Sequence, residues 1–134
     1  MYCFIYFKEG IYTKINKELM KGSTEILILS LLDKEDLYGY QIIQKLSISS
    51  NNIFNLKEGT LYPLLHGLEN EDAISAYWVE TPEGRNRKYY KITKIGKDLL
   101  KEKQEEWKIF SETVNKVIDS AEMMGGEKFE YTYR

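Results

Sequence analysis

Glu58-Gly59-Thr60-Leu61-Tyr62-Pro63-Leu64-Leu65-His66-Gly67-Leu68-Glu69 decides how the chain reads. Leu61, Leu64, Leu65 and Leu68 recur at the spacing of one helical face, which predicts a helix over about 58–71 with those leucines turned inward. Thr60, Tyr62, His66 and Asn70 then fall on the opposite, polar face. Pro63 is expected close to the first turn, where a missing N–H costs least.

Downstream, Ile74–Glu80 and Arg87–Thr93 are rich in β-branched and aromatic residues. Between them Thr81-Pro82-Glu83-Gly84 has proline second and glycine fourth, as a type I turn prefers. The pair predicts a β-hairpin. Upstream, a helical pattern runs from Asn16, which can cap it, through Leu19, Ile26, Leu27, Leu29, Leu31 and Leu32 to the charged run Asp33–Asp36. Apolar on more than one face, that helix needs two surfaces to bury against. Residues 38–46 predict a short second helix with Ile42, Ile43 and Leu46 inward, and Ser47–Asn55 a polar loop. Two adjacent short helices on a longer first one make a helix-turn-helix, and the hairpin after it makes a wing.

Thr93 is expected to cap a last helix from about Lys94. Its apolar residues fall on heptads, with Leu100, Trp107, Val114 and Ala121 on one row and Phe110, Val117 and Met124 on the next. Such a pattern on a lone terminal helix predicts a packed helix pair, hence a dimer, or docking onto the chain's own domain. The predicted class is mainly α with a small β-hairpin, a winged helix-turn-helix followed by a dimerisation helix. The expected divisions are 1–14, disordered or weakly docked; 15–93, the winged domain; 94–124, the dimerisation helix; and 125–134, a tail.

A chain of 134 residues supports one core, and 43% hydrophobic with 30% charged residues is ordinary for a globular domain. No apolar run approaches the roughly 20 residues of a membrane span. Cys3 is the one cysteine, so no internal disulfide is expected, and the aromatic N-terminus lacks the basic start of a signal peptide. A cytoplasmic protein follows as the expectation. The net charge of −2 conceals a division. Residues 85–101 carry Arg85, Arg87, Lys88, Lys91, Lys94, Lys97 and Lys101 against Asp98, a local charge of +6. Local charge governs phosphate contact because salt screens beyond about 8–10 Å.

Lys21-Gly22-Ser23, Tyr38-Gly39-Tyr40, Glu58–Leu65, Leu68-Glu69 and Arg87-Lys88-Tyr89-Tyr90 occur together in one register. In these motifs the chain resembles the PadR family of bacterial transcriptional regulators, from about Asn16 to Ile118. The resemblance implies a homodimer with a winged-helix DNA-binding part and a C-terminal helix packed on the partner. It also implies transcriptional repression in most members, and in some of them release of DNA on binding a small aromatic compound. The short C-terminal helix is similar to the family's compact branch. The first fourteen residues precede the usual start.

Thr60, Tyr62 and His66 are the expected groove-facing set, since threonine and histidine can bond base edges and tyrosine more often meets a phosphate. Tyr38, Tyr40 and Gln41 open the second helix and Lys57 precedes the third, all candidates for phosphate. Arg85, Arg87 and Lys88 form the wing set, although strand alternation puts Arg87 and Lys88 on opposite faces. Leu19, Ile26, Leu100, Trp107, Phe110, Val114 and Val117 are the expected dimer contacts. Trp107 either fills that interface or stacks a flat ligand, a site that Trp78, Ala76, Leu19 and Phe110 would help line. The expected partners are double-stranded DNA carrying an inverted repeat, a second copy of the chain and a small planar aromatic ligand, with no membrane. No cofactor or metal is expected, and no nucleophile-and-base constellation or phosphate-cradling glycine loop suggests an enzyme. The rival class is a winged-helix protein-interaction module.

Overall fold

The computed structural model describes residues 3–6, 12–15 and 17–125. The leucine-spaced segment is helical over Glu58–Asn70 (α4), with Leu61, Leu65 and Leu68 at 0% exposure. Pro63 lies in the second turn, so the N–H that would reach the Gly59 carbonyl is missing inside the helix rather than at its start.

Ahead of α4, the single helix expected from Asn16 is two: α1 over Lys17–Lys21 and α2 over Thr24–Leu32. The break has a local cause. Ser23 N–H, Ser23 Oγ and Thr24 Oγ1 all donate to the Met20 carbonyl, at 3.0, 3.0 and 2.8 Å, beside the permissive Gly22. Asn16 as a cap lies outside the described residues. Ile28, Leu29 and Leu32 of α2 enter the core.

Leu37–Tyr38 forms a short strand (β3), followed by α3 over Gly39–Ser49, three residues longer at its C-terminal end than expected. Tyr38 N–H donates to Gln41 Oε1 at 3.2 Å, which caps the start of α3. Asn51 and Asn52 adopt positive φ of 53° and 66° in the turn that separates α3 from α4.

Ile74–Glu80 (β4) and Asn86–Ile92 (β5) pair antiparallel as the wing, and β3 joins them in the order β3-β5-β4. The wing turn closes as the proline-glycine pattern predicts. Gly84 N–H donates to the Thr81 carbonyl at 2.9 Å, and Gly84 takes φ +80°. Thr93 caps α5 (Lys94–Gly125), its Oγ1 accepting from Gly96 N–H at 3.0 Å.

Near the N-terminus, Cys3–Tyr6 (β1) pairs antiparallel with Tyr12–Ile15 (β2), Cys3 opposite Ile15 and Tyr6 opposite Tyr12. These segments, expected to be disordered or weakly docked, pair with each other as strands, which their aromatic and β-branched content suits. The tail beyond Gly125 lies outside the described residues.

The chain forms two compact units, divided inside α5 after Leu100. Leu100 is 4% exposed and belongs to the core cluster of the first unit. The heptad row that singled it out as a dimer contact thus begins inside the domain's own core. Among the described residues, no helix is long and apolar enough to cross a membrane.

Candidate nucleic-acid interface

With three leucines of α4 fully buried, helical geometry fixes which side chains look outward. Tyr62 is 44% exposed, His66 is exposed and Thr60, in the first turn, is half-buried. Lys57 is exposed at the helix start. Tyr62 is not free of the fold, however. A Cβ built on Gly39 would collide with the Tyr62 hydroxyl, so the absence of a side chain at Gly39 lets the ring lie across the start of α3. The outward face of α4 and the N-terminus of α3 thus stand side by side. Tyr40 is exposed there, whereas Gln41 is half-buried with its amide oxygen already engaged.

The wing has two chemically different faces. On one, Tyr38, Tyr89 and Tyr77 form a row across β3, β5 and β4, as their register requires. Tyr38 meets Tyr89 edge-on with centroids 5.4 Å apart, and Tyr89 stacks on Tyr77 at 5.7 Å and 15°. Tyr77 Oη donates to Asp36 Oδ2 at 2.6 Å, and that hydrogen bond raises the Tyr77 phenol above its ordinary pKa. Arg87 lies over Tyr38, its Cζ 4.6 Å from the ring centroid and its Nη1 donating to Tyr38 Oη at 3.2 Å. Lys91 is exposed on the same face by alternation.

On the other face, Lys88 Nζ sits 3.3 Å from Glu69 of α4 and 5.4 Å from the centre of Tyr90. Burial pushes the Tyr90 phenol up, with the Lys88 charge pulling against it. Lys88, expected in the wing set, bridges wing and α4, because the strand's period of two puts it on the face of Tyr90 and Ile92. The +6 block is divided in the same way. Lys88, Lys94 and Lys97 face Glu69, Asp98 and Asp33 respectively, while among the described residues Arg85, Arg87 and Lys91 have no ion pair.

Sequence reasoning missed Tyr77, Asp36 and Lys91. Alternation from Arg87 through Tyr89 would have found Lys91, but the Tyr77–Asp36 bond spans 41 residues and needed the fold.

The expected dimer residues are outward on α5. Trp107, Phe110, Val114 and Val117 are 42%, 58%, 38% and 63% exposed, and the Trp107 and Phe110 rings lie 5.9 Å apart. Leu19 is exposed, whereas Ile26 is half-buried against its own core. Of the expected ligand residues, Trp78 is 65% exposed and Ala76 packs against the core, both on the Lys88 face of the wing. Trp107 and Phe110 belong to the other unit.

A helix-turn-helix whose second helix buries one leucine face and presents polar residues, followed by a hairpin with exposed arginines, defines a winged-helix DNA-binding protein. The model of the transcriptional regulator PadR-like family matches residues 28–102, and the chain belongs to that family. Its structure is similar to a PadR-like transcription factor from Bacteroides fragilis (TM-score 0.64, 45% identity, 75% of this chain and 94% of that one). It is also similar to a transcriptional regulator from Clostridium thermocellum (TM-score 0.70, 35% identity, 75% and 97% of the two chains). An uncharacterized protein of Lysinibacillus sphaericus is 36% identical over 108 residues, 81% of this chain and 99% of its own length.

Proposed function

We propose that two copies of the chain act together as a repressor that reads an inverted repeat through α4 and holds the flanking backbone with the wing. The observation that carries this reading is the complete burial of Leu61, Leu65 and Leu68, which leaves Thr60, Tyr62 and His66 as the outward side of α4. Arg85 and Arg87, without an ion pair among the described residues, support the wing's share. The exposed apolar row on α5 supports pairing of two chains. A two-fold protein presents two recognition helices about one helical turn (~34 Å) apart, so its operator is an inverted repeat.

An electrophoretic shift with the DNA upstream of the chain's own gene tests the reading. The expected result is a retarded complex that survives random competitor and protects two symmetric half-sites on footprinting. A chain that retards neither duplex is a protein-interaction module instead.

The exposed Trp107 on α5 favours a small planar aromatic compound as the effector that releases the DNA. Such a compound should quench tryptophan fluorescence and dissolve the retarded complex at the same concentrations. A compound that quenches without releasing DNA is not the effector.

A further inference from the structure

We propose that Tyr38 and Arg87 form a single two-donor clamp for a DNA backbone phosphate, joining the wing to the start of α3. The proposal rests on the DNA-binding reading above and assigns one contact within it.

Arg87 Nη1 donates to Tyr38 Oη at 3.2 Å, which engages one of the five N–H groups of the guanidinium. The phenol oxygen is the acceptor in that bond, so its own hydrogen remains to donate. A phenolic O–H and several guanidinium N–H groups therefore stand together, a donor set suited to the paired oxygens of a phosphodiester. Arg87 makes no ion pair among the described residues. Its neighbour Lys88 is matched with Glu69 at 3.3 Å. A cation held by a neutral hydroxyl keeps its charge for an outside anion.

The donor pair is also held rigidly. The Tyr38 ring is fixed edge-on by Tyr89 at 5.4 Å, Tyr89 is stacked by Tyr77 at 5.7 Å, and Tyr77 is tied to Asp36 at 2.6 Å. The Tyr38 backbone is paired opposite Tyr89 and bonded to Gln41. Arg87 lies on this platform at 4.6 Å from the ring centre, so a long side chain that would otherwise lose its freedom on binding is already oriented. The clamp is well placed beside the recognition helix, because Tyr38 adjoins Gly39, on which Tyr62 of the outward α4 face rests.

The test is a double-mutant cycle read in DNA affinity. Tyr38→Phe keeps the ring and deletes the hydroxyl, and Arg87→Ala deletes the cation. Each is titrated by fluorescence anisotropy on the upstream duplex and on random duplex. Tyr38→Phe should weaken binding to both duplexes alike, by about tenfold, the scale of one hydrogen bond to a charged group. The salt slope should stay unchanged, because no cation is removed. In the Tyr38→Phe/Arg87→Ala double variant the loss should be smaller than the product of the two single losses. Tyr38→Phe combined with Arg85→Ala, whose arginine is off the platform, should multiply. Full affinity in Tyr38→Phe, or losses that multiply for Arg87 as they do for Arg85, would overturn the clamp and leave the DNA reading intact. A lowered melting temperature with no such coupling would mean that Tyr38 only supports the fold. If the unmodified chain binds neither duplex, the DNA-binding reading fails and the clamp fails with it.

Discussion

Helices α4 and α5 are both amphipathic, yet their apolar faces have opposite fates. In α4 Leu61, Leu65 and Leu68 are fully buried within the chain's own core and Leu64 is half-buried against it, while Tyr62, His66 and Asn70 face out. In α5 the core takes Leu100, and the row from Trp107 to Val117 is exposed. The same periodicity therefore has two meanings. A leucine face covered by its own chain leaves the other side of the helix outward, whereas an apolar face left uncovered supports the proposed pairing with a second copy.

Truncation of a leucine on α4 should give the largest change. Leu65→Ala removes a fully buried side chain from the centre of the cluster and should destabilise the fold by about 2–5 kcal/mol in denaturant unfolding. A loss below about 1 kcal/mol, typical of surface substitutions, would mean that this face is not the core it looks to be.

On α5, Val114→Asp should leave the fold in place and shift the chain from dimer to monomer by light scattering, since a buried unpaired carboxylate is unfavourable at a helix pair. A monomeric mass for the unmodified chain would break the comparison at its root.

The wing sharpens it on a smaller scale. Replacing Arg85 and Arg87 together with alanine should reduce the log–log salt slope of DNA binding by roughly 0.9 for each phosphate that is no longer neutralised. Lys88→Ala should leave that slope unchanged. It should lower stability by less than about 1 kcal/mol, the usual scale of a partly exposed ion pair. If instead Lys88→Ala flattens the slope, the Glu69 pair opens on binding and the two faces of β5 are not distinct.

What was legible in the sequence was what periodicity and turn chemistry encode. The leucine spacing of α4, the proline-glycine turn of the wing and the Thr93 cap each rest on residues within a few positions of one another. Leu37–Tyr38 offered no alternation to read, being only two residues long, and its strand exists because Tyr89 and Tyr90 pair with it. The break at Gly22-Ser23 arose from hydroxyls competing for the Met20 carbonyl, which apolar spacing does not register. The core burial of Leu100 was hidden because a heptad row and a core contact share one spacing. The inward turn of Lys88 was implied by strand alternation, but its partner Glu69, nineteen residues away, was not.

The central claim is that the outward face of α4 discriminates sequence while the wing supplies charge. Its most direct test is the affinity of Thr60→Ala for operator and for random duplex at one salt concentration. Operator binding should weaken by about 1–3 kcal/mol, the scale of one base contact, while random-duplex binding is unchanged. Equal weakening on both duplexes, or none on either, would contradict it.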